Sequence, residues 1–258
     1  AIARAGEGGD PDGGITDDVG GASGDAATVG VVNTGTVRIG SSSDFATGGD
    51  AAWAIAAQSQ GNVGGRNGGA GGDGGTVSVT TGSASVVEVY WNENSGTESG
   101  VRGVFAESSG GDGLEADDED GGVGAHGYVA AASIGGRITV EATDRPEGFS
   151  AAVLVLSEGG EGGGGGNGGK DAGRGGDGSQ TLGDTDGDGK ADDRTDGLSS
   201  IVVDGSAFVY AGGDGVAGIV LSSRGGRGGD GDDGTNDSDG GDVGVVAAET
   251  VTNCTRHN

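Results

Sequence analysis

Glycine constrains this chain more than any other residue, because it fills 67 of the 258 positions and separates the apolar runs. Glycine in the interior of a helix or strand is destabilising, since it loses much backbone freedom on folding. Hydrophobic residues make up 31% of the chain and aromatic residues 3%, too few for a thick multilayer core. A solenoid suits this composition because its core is thin and each coil needs only a few inward side chains.

The apolar residues occur in short β-branched runs, and no segment keeps the 3.6-residue period of an amphipathic helix. Twelve runs predict strands at residues 28–39, 52–57, 76–80, 84–91, 101–106, 128–132, 137–140, 151–156, 201–203, 207–211, 216–221 and 243–248. The sequence therefore predicts a single elongated all-β domain over residues 1–258. An acidic, glycine-rich segment at 1–26 and a long Gly/Asp-rich insertion at 158–199 belong to it.

A serine motif, Ser-x-Gly-Gly or a near copy, follows several of these runs. Its copies begin at Ser59, Ser108, Ser133, Ser157 and Ser223, with spacings of 49, 25, 24 and 66 residues. We interpret 24–25 residues as about one turn of a β-solenoid, with loops of unequal length inserted at one corner. A β-sandwich such as a jelly roll, with glycine-rich loops, is the alternative fold.

Two stretches resemble a known family. Residues 54–61 (AIAAQSQG) and 71–79 (GGDGGTVSV) are similar to the glycine-rich passenger repeats of bacterial autotransporters and related secreted adhesins. The resemblance extends in degenerate form over residues 27–251. It implies a right-handed parallel β-helix on a cell surface.

The sharpest chemical motif is Asp-x-Asp-x-Asp-Gly-x-x-Asp at residues 184–192. It resembles the calcium loops of EF-hands, dockerins and thrombospondin type 3 repeats, in which alternate carboxylates converge on one ion and glycine permits the turn. Thr195 stands where such a loop has a bidentate acid, so a neighbouring aspartate would have to substitute. The predicted calcium ligands are Asp184, Asp186, Asp188, Lys190 through its carbonyl, Asp192, Asp193 and Asp196. An acidic, solvated loop is the alternative interpretation.

The net charge of −28 disfavours nucleic acids and anionic membranes as partners. Bound divalent ions and adaptation to high salt both explain such acidity, and composition does not separate them. Weaker acidic clusters occur around Asp12, Asp117 and Asp233. No apolar run approaches the ~18 residues of a membrane-spanning helix.

Catalysis has little support, because His126 and His257 are far apart and no nucleophile motif is present. The glycine runs lack the Lys-Ser/Thr of a phosphate-binding loop and instead predict polyproline-II packing of backbone against backbone. Eight aromatic residues lie mostly in predicted strands and are expected to pack in the core or the stack, with a sugar-binding platform as the alternative. They are Trp53, Tyr90, Trp91, Phe105, Tyr128, Phe149, Phe208 and Tyr210.

These features predict an extracellular or cell-surface structural protein, a calcium-stabilised β-solenoid subunit of a fibre, filament or layer. We expect a homo-oligomer assembled through strand edges, with residues 243–251 or 1–15 pairing with the next subunit. An adhesin-type module that binds glycans or surfaces is the alternative. A polysaccharide-active enzyme is a more remote one, and the chain is not expected to be an enzyme.

Overall fold

The computed structural model spans the whole chain, and the structure describes residues 1–6, 21–47, 52–92, 100–117, 120–143, 149–165, 171–178 and 199–229. Every regular element in these ranges is a β-strand, which confirms the all-β prediction. Accordingly, the described ranges contain no helix that could span a membrane.

The described residues contain fourteen strands. In chain order they are β1 (Ile2–Arg4), β2 (Val29–Asn33), β3 (Thr36–Ile39), β4 (Ala46–Thr47), β5 (Ala52–Gln60), β6 (Val77–Thr81), β7 (Val86–Asn92), β8 (Val101–Ser109), β9 (Ala130–Ile134), β10 (Arg137–Ala142), β11 (Ser150–Glu158), β12 (Ser200–Val203), β13 (Phe208–Gly212) and β14 (Val216–Arg224). Eleven of the twelve predicted runs overlap these strands. The run at 243–248 lies outside the described residues.

The predicted run at 28–39 is two strands rather than one, because Asn33 closes a turn between them. Its Nδ2 donates to the carbonyl of Gly35 at 3.1 Å, and its Oδ1 accepts from the Gly35 N–H at 3.3 Å. Asparagine favours such turns because its side chain imitates a backbone group. The turn directs β2 and β3 into different sheets.

The described strands form three parallel sheets. Sheet 1 has the spatial order β1-β5-β8-β11-β14, sheet 2 has β12-β9-β6-β2, and sheet 3 has β13-β10-β7-β3 with β4 also on β7. From β2 onward the chain visits sheet 2, then sheet 3, then sheet 1, and it does so four times. We call each such passage a circuit.

The length of a circuit differs from the predicted 24–25 residues. Trp53 pairs with Arg102, and Arg102 pairs with Ala151, so neighbouring strands of sheet 1 are 49 residues apart. Ser150 pairs with Val216, which makes the next spacing 66 residues. The shorter spacings arose because Ser133 lies on β9 in sheet 2, whereas Ser108 and Ser157 lie in sheet 1.

Rows of medium-sized apolar side chains run across the sheets and share one core. In sheet 1 the row is Ile55, Val104, Val153 and Ile219, and in sheet 3 it is Val37, Val87, Ile138 and Val209. These side chains and those of sheet 2, such as Val79 and Ile201, form a single cluster. A few inward residues per strand are enough, so the low apolar content suffices.

A glycine layer connects sheet 1 to sheet 2. We define it as the described residues within 21–26, 61–75, 110–127, 159–178 and 225–229. Its backbone hydrogen bonds recur at every third residue: the N–H groups of Gly121, Gly124 and Gly127 donate to the carbonyls of Asp171, Arg174 and Asp177. Three residues per turn is the repeat of a polyproline-II helix, which agrees with the packing predicted for the glycine runs.

Close backbone contact explains why glycine recurs in this layer. A Cβ on Gly111 would overlap the carbonyl of Asn62, one on Gly160 would overlap Gly111, and one on Gly226 would overlap Gly160. The third position of each triplet, such as Asp112 or Glu161, faces solvent and carries a side chain. In most triplets the other two positions are therefore glycine or another small residue, and Asn62 and Leu114 are exceptions.

The serine motif marks the entry to the glycine layer. Ser59, Ser108, Ser157 and Ser223 pair with one another in sheet 1. Ser59 Oγ donates to the carbonyl of Ala27 at 2.7 Å and accepts from the N–H of Gly75 at 2.8 Å. Ser108 Oγ accepts from the N–H of Tyr128 at 2.8 Å. The serines thus fasten the ends of sheet 1 to the residues that lead into sheet 2.

Candidate functional site

The predicted calcium ligands all lie outside the described residues. This holds for Asp184, Asp186, Asp188, Lys190, Asp192, Asp193 and Asp196, and also for the acidic clusters around Asp12 and Asp233. Among the described residues, no group of three or more His, Cys, Asp or Glu side chains is arranged to hold a metal ion. Calcium binding therefore stays a prediction.

Part of the third acidic cluster is described, and its carboxylates bind backbone. Asp112 Oδ1 accepts from the N–H of Glu161 at 2.8 Å, and Asp120 Oδ1 accepts from the N–H of Asp171 at 3.1 Å. Each bond joins one circuit to the next. The carboxylates of these aspartates accept hydrogen bonds from backbone N–H groups of the glycine layer, and so help to hold successive circuits together.

A column of four residues repeats this arrangement. The N–H of Asp73 donates to Asp25 Oδ1 at 3.2 Å, that of His126 to Asp73 Oδ1 at 2.8 Å, and that of Asp177 to His126 Nδ1 at 2.9 Å. Tyr128 Oη also donates to Asp73 Oδ2 at 3.2 Å. Burial raises the pKa of Tyr128 to about 12, and the negative charge of Asp73 and its hydrogen bond add to the effect.

The outer face of sheet 1 carries a second apolar cluster, separate from the main core. Phe105 lies between Val104 and Ala106, which both belong to the main core, so its side chain emerges on the opposite face. Phe105, Ala151 and Leu154 are buried there, with Trp53 and Val220 packed against them. This cluster is buried, although it lies on the face of sheet 1 opposite the main core.

Arg102 lies within this cluster against two aromatic rings. Its guanidinium carbon is 4.1 Å from the Phe105 ring centroid and 4.9 Å from that of Trp53. Burial lowers the pKa of Arg102, while the carboxylates of Glu107 and Glu158 act in the opposite direction. Trp53 Nε1 and Arg102 Nε are shielded and have no hydrogen-bond partner in the part of the chain that the structure describes. Such groups attract acceptors, because an unpaired buried donor costs about 1–3 kcal/mol.

Two carboxylates border the aromatic cluster. Gln58 Nε2 donates to Glu107 Oε2 at 2.5 Å, and Arg224 Nη1 lies 3.8 Å from Glu158 Oε1. Burial raises the pKa of Glu158, and repulsion by Glu107 raises it further, against the opposing pull of Arg224 and Arg102. Apolar, cationic and acidic groups together suit binding, and the arrangement does not by itself define a catalytic role.

Sequence reasoning missed the grouping of Trp53, Arg102 and Glu107. The spacing of 49 residues between Ser59 and Ser108 could have predicted this grouping, because the same spacing separates Trp53 from Arg102. The expectation that the aromatic residues pack in the core or the stack is correct for Trp91, in the main core, and for Phe105, buried in the outer cluster of sheet 1. It is wrong for Phe149, Phe208 and Tyr210, which are 53%, 45% and 43% exposed. Phe208 and Tyr210 alternate with the core residue Val209, so they face outward.

The fold and these surfaces define an all-β protein of three parallel sheets and a glycine layer. Comparison of the chain with family models, with curated proteins and with solved structures finds no match. The likeness to autotransporter passenger repeats therefore remains a prediction, and the function is argued from the residues of this chain.

Proposed function

We propose that the protein is an extracellular structural subunit, a calcium-stabilised β-solenoid that assembles into a surface fibre, filament or layer. The observation that carries the proposal is the constant order in which the chain visits three parallel sheets in four circuits. Stacked repeats of this kind are the organising principle of solenoid proteins. A right-handed parallel β-helix is the specific architecture we propose, in keeping with the handedness of parallel β connections.

The strand pairing favours a solenoid over the sandwich alternative. Every ladder between the described strands is parallel, whereas a jelly roll consists of antiparallel Greek keys. The hydrogen bonds that aspartate side chains accept between successive circuits also require each circuit to lie directly on its neighbour. Both observations are those expected of stacked coils.

Open strand edges support assembly into a polymer. Within the described residues, β12, β13 and β14 each pair on one side, as do β1, β2 and β3. Unpaired edges are templates for another chain. A second copy that met these edges would continue all three sheets, which is why we propose a homo-oligomer.

Two sequence features support calcium: the acidic loop motif at residues 184–196 and the large net negative charge of the chain. With 41 acidic residues against 13 basic ones, close packing of copies requires counterions. An extracellular location supplies calcium at the concentrations that weak extracellular sites use, about 10⁻⁴–10⁻³ M.

Electron microscopy and light scattering test the proposal on the full chain, with calcium and then with excess chelator. We expect filaments or sheets in calcium that dissociate under chelation. The paired change Asp186→Asn and Asp188→Asn should abolish the calcium effect, while Asp214→Asn, in the turn before β14, should retain it. Compact monomers under both conditions would exclude a calcium-dependent polymer.

A glycan-binding adhesin is the second candidate, and the exposed aromatic residues of sheet 3 favour it. No described observation favours a polysaccharide-active enzyme, the remaining alternative, over these two.

A further inference from the structure

Two exposed aromatic residues lie side by side on the outer face of β13. Phe208 and Tyr210 are 45% and 43% exposed, although aromatic residues are scarce in this chain. Residues two apart on a strand share a face and are about 6.6 Å apart. They form what we call the aromatic platform, Phe208 and Tyr210.

The ring of Tyr210 lies along the strand, over Gly212. A Cβ on Gly212 would be 2.7 Å from Tyr210 Oη and 2.9 Å from its Cε1, so a side chain there would displace the ring from this position. One face of the Tyr210 ring therefore lies against the sheet, and the other face is toward solvent. An aromatic side chain held in this way presents a flat apolar surface that needs little further ordering on binding.

Phe208 is also fixed by a neighbour. The guanidinium carbon of Arg137 is 5.3 Å from its ring centroid, and Arg137 Nε donates to Thr139 Oγ1 at 3.1 Å. Thr139 is itself buried and pairs with Tyr210 in the sheet. Both rings therefore rest on anchored groups of β10.

The surroundings of the platform are polar and carry both charges. Glu141 pairs with Gly212, directly beside the Tyr210 ring, and Arg137 lies beside Phe208. Further along the sheet, Arg38 and Glu88 form an ion pair of 2.6 Å. Hydrogen-bonding groups of both charges thus lie around the apolar surface, and the exposed Asp204 and Asp214 lie on either side of β13.

We infer that this face binds a neutral polysaccharide, with sugar rings stacked on Tyr210 and Phe208. Pockets and platforms that combine aromatic surface with a few placed polar groups suit amphipathic ligands, and a pyranose has an apolar C–H face and polar hydroxyl edges. Glu141 and the Tyr210 hydroxyl supply partners for those hydroxyls. The net charge of −28 repels polyanionic polysaccharides, and the apolar stacking surface suits neutral ones.

A protein partner fits the platform less well. A stable protein interface buries about 800 Å² on each side, whereas two fully exposed aromatic side chains supply roughly 300–500 Å². Phe208 and Tyr210 are each less than half exposed, so their contribution is smaller still. The inference concerns side chains on the outer face of β13, whereas the proposed polymer would use the unpaired backbone edge of the same strand.

Native affinity electrophoresis of the full chain tests the inference, with dextran, mannan or a β-1,3-glucan in the gel and alginate as the polyanion. We expect at least one neutral polysaccharide to retard the protein and alginate not to do so. Tyr210→Ala should weaken the retardation about tenfold through loss of the stacked ring. Tyr210→Phe should retain most of it.

Val202→Ala is the matched control, because Val202 is 46% exposed in the same circuit but on sheet 2. It should leave retardation unchanged, and thermal unfolding should show that all variants fold. Absence of retardation by all three neutral polysaccharides overturns the inference. So does retardation that Tyr210→Ala leaves intact, or a Tyr210→Ala effect confined to self-assembly in light scattering, which would assign the platform to a second copy.

Discussion

At Gly111, Gly160 and Gly226 the absence of a side chain is a packing requirement. Each lies against the backbone carbonyl of the preceding circuit, where a Cβ has no room. Gly30 is different, because a Cβ there would meet Ser78 Oγ at 3.5 Å, an ordinary contact. The glycines of this chain therefore divide into those that close backbone contact demands and those that it does not.

Gly111→Ala should lower the free energy of unfolding by about 3 kcal/mol, because the carbonyl of Asn62 must move away. The matched change Gly30→Ala should leave stability unchanged or raise it by about 0.5 kcal/mol, since it reduces the freedom of the unfolded chain. Urea unfolding measures both. Equal costs at the two positions would show that the glycine layer does not depend on close backbone contact.

The raised pKa of Tyr128 should make the stability of the protein depend on pH in the alkaline range. The Tyr128 pKa of about 12 exceeds the ordinary value of 10.0, so its contribution to stability is fully present below pH 10 and is lost as the pH rises through 12. Ultraviolet titration should show a phenol ionising near pH 12 that is missing in Tyr128→Phe. Asp73→Asn should move that titration part of the way toward 10, because burial, the largest cause, remains. A titration near pH 10 that Asp73→Asn does not shift would contradict the described Tyr128–Asp73 contact.

At the scale of elements, the strands were predictable and their arrangement was not. Runs of alternating or β-branched residues, such as those of β6 and β10, predict strands because they show the two-residue period of a half-buried sheet. The two- and three-residue strands β4 and β1 were missed, since only their pairing with β7 and β5 makes them strands. The serine spacing predicts too short a circuit, because the copy of the motif at Ser133 lies in sheet 2 and the other copies lie in sheet 1.

Ser108→Ala should cost about 2 kcal/mol, because the N–H of the half-buried Tyr128 would lose its acceptor, the fully buried Ser108 hydroxyl. Ser78→Ala, an exposed change on β6, should cost less than about 0.5 kcal/mol. Denaturant midpoints of the two variants decide the matter. If Ser108→Ala were as mild as the control, the serine ladder would not fasten sheet 1 to the glycine layer.

At the scale of the molecule, the described circuits explain how a chain with so few apolar residues folds. One core serves three sheets, and the glycine layer adds hydrogen bonds where side chains are absent. The candidate sites were less predictable than the fold. The calcium loop is a local motif that can be read from adjacent residues, whereas the Arg102 cluster joins Trp53 and Arg102, which are 49 positions apart. The two rings of the aromatic platform are close in sequence, but Arg137, which pairs with Phe208, lies 71 positions away.

The two segments predicted to contact the next subunit, residues 1–15 and 243–251, should respond differently to deletion. β1 pairs with β5, so deletion of residues 1–15 removes a strand of sheet 1 and uncovers the edge of β5. We expect that deletion to alter polymerisation and to lower stability. Deletion of residues 243–251 should abolish polymerisation while the monomer stays folded, as light scattering and circular dichroism would show. Unchanged polymerisation in both deletions would exclude these segments as contacts.

The three-residue period of the glycine layer has an evolutionary consequence. Close backbone contact holds most of the first two positions in each triplet to small residues, while the third carries a side chain that in some circuits, as at Asp112 and His126, also accepts a hydrogen bond from the next circuit. Residues as different as Val123, His126, Asp171 and Arg174 occupy that third position within the layer. Point mutations at the third positions can therefore change the charge and chemistry of a whole surface while the backbone contacts of the glycine layer stay the same.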